Sequence, residues 1–227
     1  DAYMPEGAAA APLVVFLHGG GWAFGDKAND NVWKDKSAHW NSRGVGFVSV
    51  NTRLLPQADP MQQAADLARA LSHIQEAAPA WGGDPSRLAL MGHSAGAHLV
   101  ALLGADPGLA RRWGAGPWRA TVALDSAVYD LTRYMARRPS RIHTRAFGSN
   151  RAFWEEASPY ARLGPGATPF LLVASAKRRG AVSAARTFAR AAKARKVEAE
   201  VYEIDYSHAA INAALGMPGP YTDTVDA

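Results

Sequence analysis

Short apolar runs alternate along this chain with stretches of helical periodicity, and this alternation restricts the fold more than any other feature. The predicted strands lie at residues 13–17, 45–50, 88–91, 121–124, 170–174 and 197–204, and most are apolar without interruption. The predicted helices span residues 62–78, 95–103 and 183–196. Continuous apolar strands that alternate with helices predict an α/β fold, in which helices cover both faces of a mostly parallel sheet of about six to eight strands.

One segment interrupts this alternation. Residues 125–168 contain Tyr, Arg, Trp, Pro and Gly but no clear strand, which favours a helical insertion over one end of the sheet. Such an insertion either shapes a substrate pocket or is only a long connection. Because 227 residues are enough for one sizeable core, we expect a single domain that includes this insertion.

The composition limits the chemistry that is available. The chain has no cysteine, so disulfides, thiolate metal sites and cysteine nucleophiles are excluded. The net charge is +5, and basic residues cluster at 111–112, 133–145 and 177–179. These clusters indicate either an anionic partner or a solvated basic surface, and we favour the surface. Basic and aromatic residues are not interleaved as in nucleic-acid-binding proteins, so no nucleic-acid partner is predicted.

The hydropathy pattern predicts neither a membrane span nor a secretory signal. No apolar run approaches the roughly 18 residues that a transmembrane helix needs. The opening stretch DAYMPEGAAAAP has no basic region followed by an apolar one, as a signal peptide would. We therefore expect a cytoplasmic protein, provided that no targeting segment precedes Asp1. Nothing in the sequence indicates an oligomeric state.

Candidate catalytic residues follow three of the predicted strands. In an open parallel sheet, ligands bind beyond the carboxyl ends of the strands. The stretch HGGGW (18–22) follows the first predicted strand, GHSAG (92–96) follows the strand at 88–91, and DYSH (205–208) follows the last. A glycine-rich loop, Ser94 and His208 are therefore expected at the same edge of the sheet.

The stretch GHSAG has the pattern of a sharp turn between a strand and a helix, which exposes a serine hydroxyl. Gly92 and Gly96 permit this turn sterically. The backbone N–H of Ala95, at the start of the following helix, can then stabilise an oxyanion. The glycines at 19–21 can offer further N–H groups, because a backbone without Cβ atoms can approach a substrate closely.

The stretches HGGGW and WGGDPSRLALMGHSAGAHLV, with the late histidine, resemble the α/β-hydrolases. Within that superfamily they are similar to the carboxylesterase branch that includes hormone-sensitive-lipase-like esterases, feruloyl esterases and kynurenine formamidases. The resemblance implies Ser94 as nucleophile and His208 as general base. It also implies that the N–H groups of Gly20, Gly21 and Ala95 form the oxyanion hole. It implies neither a metal ion nor an organic cofactor.

The acid that would complete a Ser–His–acid triad is harder to assign. In the resembling family it usually follows the strand before the last helix, but here that stretch, ASAKRRGAVS (174–183), contains no Asp or Glu. Asp125 follows the predicted strand at 121–124, which places it at the correct edge, although it could instead cap a loop. Asp130 is the next candidate, and Asp205 is too close to His208 in sequence to fold back onto it.

The expected function is hydrolysis of a small carboxylic ester through an acyl-enzyme intermediate. Amide hydrolysis of the arylformamidase type uses the same residues and is the nearest alternative. The missing acid leaves two further possibilities open. One is a Ser–His dyad with residual activity, because the oxyanion hole would still act. The other is a binding protein without catalytic activity, built on a hydrolase fold.

Overall fold

A computed structural model describes residues 1–137 and 139–226 of the chain. Its strands form one seven-stranded sheet in the order β1-β3-β2-β4-β5-β6-β7. They are β1 (Ala2–Tyr3), β2 (Ala11–Leu17), β3 (Gly46–Val50), β4 (Gly83–His93), β5 (Ala120–Leu124), β6 (Phe170–Ser175) and β7 (Ala199–Ile204). The short β1 pairs antiparallel with β3, and the other neighbours are parallel. The predicted mostly parallel sheet is confirmed.

The helices of the described residues connect these strands and cover the sheet. They are α1 (Asp30–Asn41), α2 (Pro60–Ala77), α3 (Ala95–Ala105), α4 (Pro107–Arg111), α5 (Leu131–Met135), α6 (Arg141–Phe147), α7 (Arg151–Glu156), α8 (Pro159–Arg162), α9 (Arg179–Ala194), α10 (His208–Ala213) and α11 (Pro220–Asp226). Helix α2 begins two residues before the predicted start because Asp59 and Gln62 form a reciprocal capping box at its amino end. Helix α9 begins at Arg179 rather than 183 and ends at Ala194.

Alternate side chains of the central strands point to opposite faces, and each face has its own apolar layer. Leu13, Val15 and Leu17 of β2 belong to the layer that includes helices α2, α3 and α9. Val14 and Phe16 belong to the opposite layer, with residues of α1, α10 and α11. Because both faces are buried, β2 reads as a continuous apolar run. The predicted helical layers on both faces are confirmed.

The segment that interrupts the alternation contains α5 to α8 and, in its described residues, no strand. It is anchored on α3, the helix that follows the Ser94 turn: the Nε2–H of His98, buried in α3, donates to the Ala157 carbonyl over 2.8 Å. It also reaches the glycine loop, since the Phe147 ring of α6 packs edge-on against Trp22 with centroids 4.8 Å apart. Helices of this segment therefore lie beside the loop expected to bind the substrate carbonyl.

The strand registers bring the predicted site residues to one edge. Leu17, the last residue of β2, pairs with Gly92 of β4, and His93 of β4 pairs with Leu124, the last residue of β5. The residues that follow these strands therefore leave the sheet side by side. Within residues 1–137 and 139–226, no helix combines the length and apolar character that crossing a bilayer requires.

Candidate active site

Ser94 occupies the sharp turn between β4 and α3. Its φ is 56° and its ψ is −111°, a strained conformation for a residue with a side chain. The flanking glycines allow the turn to be tight. A Cβ on Gly92 would lie 2.6 Å from the carbonyl carbon of Gly96, and a Cβ on Gly96 would lie 2.3 Å from the Leu17 oxygen. Close approach of strand and helix therefore requires glycine at both positions, as the sequence pattern predicts.

His208 begins α10, directly after the loop that follows β7. Its Nε2 lies 2.9 Å from the Ser94 Oγ, within hydrogen-bond distance. The imidazole side chain is 38% exposed, so His208 lies at the surface of this edge of the sheet and not in the core. The two residues are separated by 114 positions in the chain, and the common edge of the sheet brings them together.

Asp125 follows β5 and places its carboxylate behind the imidazole. Its Oδ2 lies 2.6 Å from the His208 Nδ1, and its Oδ1 accepts a 3.0 Å hydrogen bond from the backbone N–H of Ser175. Burial of the carboxyl opposes its ionisation, but the hydrogen bonds from His208, Ser175 and Arg178 outweigh this effect and lower the pKa of Asp125 to about 2. Asp125 is therefore a carboxylate at neutral pH.

The other two candidate acids lie elsewhere. Asp130 caps the amino end of α5, where its Oδ1 accepts from the backbone N–H of Arg133 over 3.1 Å. Asp205 is 84% exposed and faces the Lys177 ammonium at 3.7 Å. Asp125 is thus the predicted acid that the structure brings to His208, and the alternative of a simple loop cap does not describe its contacts.

Arg178 is a member of the site that the sequence analysis missed. Its Nη1 lies 2.5 Å from the Asp125 Oδ2, 3.1 Å from the Asp125 carbonyl oxygen and 2.8 Å from the His208 Nδ1. The interpretation of residues 177–179 as a solvated basic surface is incomplete for Arg178, whose side chain is 36% exposed but also contacts Asp125 and His208. The one sequence signal for Arg178 is its position, because it lies in the stretch 174–183 where the acid was expected.

His93, within the turn sequence itself, supports His208 from behind. Its Nε2 lies 2.9 Å from the backbone carbonyl oxygen of His208, and the two rings are 4.6 Å apart between centroids. Burial is the main reason why the pKa of His93 falls to about 3. His93 is therefore neutral, and its Nε2–H can donate to the carbonyl. No sequence pattern indicates this contact.

The glycine loop after β2 lies against the serine. A Cβ on Gly19 would be 3.1 Å from the Ser94 Cβ. Gly20 and Gly21 both have positive φ, 124° and 60°, and in the described part of the chain their backbone N–H groups have no hydrogen-bond acceptor. Ala95 is the first residue of α3, and the N–H groups of the first turn have no acceptor within their own helix. The glycine loop and the amino end of α3 meet at Ser94, and both offer backbone N–H groups there that the described hydrogen bonds do not use.

The rim of the site carries apolar side chains. Phe24 is 64% exposed and Ile142 is 39% exposed. Ile142, in α6, lies so close to Gly21 that a Cβ there would be 1.8 Å from its Cδ1. Trp22 is buried instead, packed between Phe147 and His98, so it is a core residue rather than an exposed part of the rim. The helical segment therefore contributes to the surroundings of the glycine loop.

A parallel sheet of this order, with a serine on the turn after its fourth strand, is the α/β-hydrolase fold. Solved structures confirm it. The native form of esterase Est2 from Thermogutta terrifontis has a TM-score of 0.71 at 21% identity, over 89% of this chain and 75% of that one. A truncated carbohydrate esterase from gut microbiota has a TM-score of 0.80 at 16% identity, over 99% and 87%.

The chain belongs to the BD-FAE family, whose model matches residues 1–177. A probable isoprenylcysteine alpha-carbonyl methylesterase of Oryza sativa subsp. japonica is 34% identical over 102 residues, which are 44% of this chain and 24% of that protein. The carboxylesterase NlhH of Mycobacterium tuberculosis (strain H37Rv) is 35% identical over 128 residues, 53% of this chain and 38% of that protein. The matches thus span less than half the length of these relatives.

Proposed function

We propose that this protein is a serine hydrolase that cleaves carboxylic esters through an acyl-enzyme intermediate on Ser94. The observation that carries the proposal is the continuous series of contacts from the Ser94 Oγ through the His208 ring to the Asp125 carboxylate, at 2.9 Å and 2.6 Å. Membership of the BD-FAE family and similarity to proteins named as esterases support the same reaction class.

Each side chain has a defined part in the first half of the reaction. With its proton on Nδ1, His208 donates to Asp125 and leaves Nε2 free to take the proton of the Ser94 hydroxyl. The serine oxygen then attacks the ester carbonyl, and the N–H groups of Gly20, Gly21 and Ala95 stabilise the oxyanion. The ionised Asp125 holds the ring in this tautomer and stabilises the imidazolium that forms.

The second half of the reaction uses the same groups in reverse. The His208 imidazolium gives its proton to the leaving alcohol, which departs and leaves an acyl group on Ser94. His208 then accepts a proton from a water molecule that attacks the acyl carbonyl. Collapse of the second tetrahedral intermediate releases the carboxylic acid and returns the proton to the serine.

A fluorophosphonate probe tests the proposal, since such probes phosphonylate serines that are activated as nucleophiles. We expect one adduct on the intact protein, and peptide mass spectrometry should place it on Ser94. The Ser94→Ala variant, with its fold checked by circular dichroism, should not react. If the folded wild-type protein forms no adduct at Ser94, the hydrolase proposal is wrong and a binding role gains support.

The leaving group is tested separately. We expect a small aryl acetate to be hydrolysed with a higher kcat/KM than an aryl formamide, because a phenolate leaves a tetrahedral intermediate more readily than an anilide does when His208 is the proton donor. Comparable measurements on both compounds decide between the ester and arylformamidase reactions. A higher value for the formamide would favour the amidase reaction on the same site.

A further inference from the structure

Arg178 comes from the loop after β6, where the resembling family usually has its acid. In this chain the carboxylate, Asp125, follows β5, and a cation, Arg178, occupies the position after β6. The Nη1 of Arg178 is within hydrogen-bond distance of both the Asp125 Oδ2, at 2.5 Å, and the Asp125 carbonyl oxygen, at 3.1 Å. One nitrogen therefore joins the carboxylate of Asp125 to the main chain of the same residue.

Asp125 is a residue that needs such support. Its φ is 57°, in the left-handed region that side chains with a Cβ rarely adopt. Its side chain has no exposed area, so water cannot hold the carboxylate in place. Apart from His208 itself, the carboxylate is held by the Ser175 N–H and by Arg178. The direction in which Oδ2 faces the imidazole therefore depends on these two donors.

We propose that Arg178 is a positioning residue, which clamps the Asp125 carboxylate so that Oδ2 faces the Nδ1–H of His208. This inference rests on the proposed function, because it concerns the same site. Arg178 touches neither Ser94 nor the place of the substrate carbonyl in the contacts described. It acts on the reaction only through Asp125 and His208.

The same guanidinium also has an opposing effect. It lies 2.8 Å from the His208 Nδ1, so in the tautomer that carries its proton on Nδ1 the two N–H groups point at each other and repel. The guanidinium side chain is 36% exposed, and solvent therefore screens this repulsion. Its hydrogen bonds to Asp125, in contrast, act inside a buried site where orientation decides the rate. We therefore expect the clamp to outweigh the repulsion.

The test compares Arg178→Ala and Arg178→Lys with the wild type, using a small aryl acetate and the rate of fluorophosphonate labelling at Ser94. We expect Arg178→Ala to lower kcat about 10- to 100-fold with little change in KM, since only the geometry behind His208 is lost. Lysine keeps the positive charge but lacks the planar guanidinium with its several N–H groups, so Arg178→Lys should have a kcat between those of Arg178→Ala and the wild type. Millimolar guanidinium chloride should restore part of the activity of Arg178→Ala, whereas sodium chloride should not.

Arg179→Ala is the matched control, because Arg179 is the next residue and is exposed. It should keep the wild-type kcat and show no response to guanidinium. Unchanged or faster turnover in Arg178→Ala would overturn the proposal, and so would a loss that guanidinium does not relieve. If Arg178→Ala does not fold, a wild-type kcat in Arg178→Lys would overturn it. A wild-type protein that is neither labelled nor active would instead refute the proposed function itself.

Discussion

The His208 Nδ1 lies 2.6 Å from the Oδ2 of Asp125, a carboxylate that follows β5. This contact places a carboxylate where the proposed triad needs its acid, although the stretch after β6 contains none. It is possible because β5 and β6 are neighbours in the sheet, with Leu124 opposite Val173. A side chain that leaves the end of either strand can therefore reach the same imidazole. The proposed triad therefore takes its acid from a different strand, with the contacts from Ser94 through His208 to Asp125 intact.

Replacement of Gly20 by alanine should impair catalysis more than folding. A Cβ at this position would meet the Phe24 carbonyl oxygen at 2.0 Å, and φ is +124°, so the loop must shift and its N–H groups must move. Loss of one oxyanion-hole donor lowers kcat by about 10² to 10³. Steady-state kinetics on a small aryl ester measure this loss, with Tm from circular dichroism to follow folding.

Gly166→Ala is the control for that substitution, because a Cβ on Gly166 would meet nothing within 4 Å. It should leave kcat and Tm close to the wild-type values. Wild-type turnover in Gly20→Ala would show that the loop does not position a group needed for the reaction.

Lys36 should make the free energy of unfolding rise with pH. It is only 2% exposed, its ammonium donates to the carbonyls of Asn31 and Asn212, and burial lowers its pKa from 10.5 to about 7. Between those values the unfolded chain binds the proton and the folded protein does not. Stability therefore rises with pH in this window, by at most about 1.4 kcal/mol per pH unit for one group.

Urea unfolding at several pH values from about 7 to 9, within the window that this linkage defines, compares the wild type with Lys36→Met. The variant should lack this component of the slope, whereas Lys34→Met, at an exposed position, should keep it. Equal slopes in all three proteins would mean that Lys36 stays protonated in the folded state. Lys36 also contacts α10, the helix that starts with His208, because its side chain donates to the Asn212 carbonyl. Loss of the Lys36 proton therefore changes a contact that holds this helix.

His98 should make the protein sensitive to acid. It is fully buried in α3, and burial lowers its pKa to about 4. The unfolded chain takes up this proton near the ordinary pKa of 6.5, so the stabilising contribution is complete above that value and is lost as the pH falls towards about 4. His98→Gln can still donate to the Ala157 carbonyl, and its free energy of unfolding should change less between these two pH values than that of the wild type.

His73→Gln is the matched control, since His73 is exposed and should leave the pH dependence as it is in the wild type. The measurement is again denaturant unfolding across the acidic range. A steep loss of stability that persists in His98→Gln would show that other groups, among them the buried His93 and the half-buried His143, account for it.

Much of this site could be predicted from local sequence. The turn at Ser94 shows itself through glycines at fixed spacing, and the carboxyl edge of the sheet follows from the order of strands and helices. Asp125 could be named as a candidate for the same reason. It ranks before Asp130 because it directly follows the predicted strand, but the sequence does not show that its carboxylate reaches His208 while Asp130 caps α5.

The contacts of Arg178 and His93 could not be predicted in this way. Arg178 is 53 positions from Asp125, and its long side chain can reach either solvent or the site from the same backbone position. His93 contacts a backbone carbonyl 115 positions away. Because every residue has such a carbonyl, the sequence cannot indicate which one is the partner. Such pairings depend on how β4, β6 and β7 are placed, and local patterns do not encode that.

Asp125→Asn tests the central claim most directly, with Asp130→Asn as its matched control. An amide at 125 cannot stabilise the imidazolium and favours the wrong tautomer of His208, so kcat for a small aryl ester should fall by about 10⁴. Asparagine caps a helix as well as aspartate does, so Asp130→Asn should retain the wild-type rate. Wild-type turnover in Asp125→Asn, with fold and Ser94 labelling intact, would contradict the assignment of Asp125 as the acid of this triad.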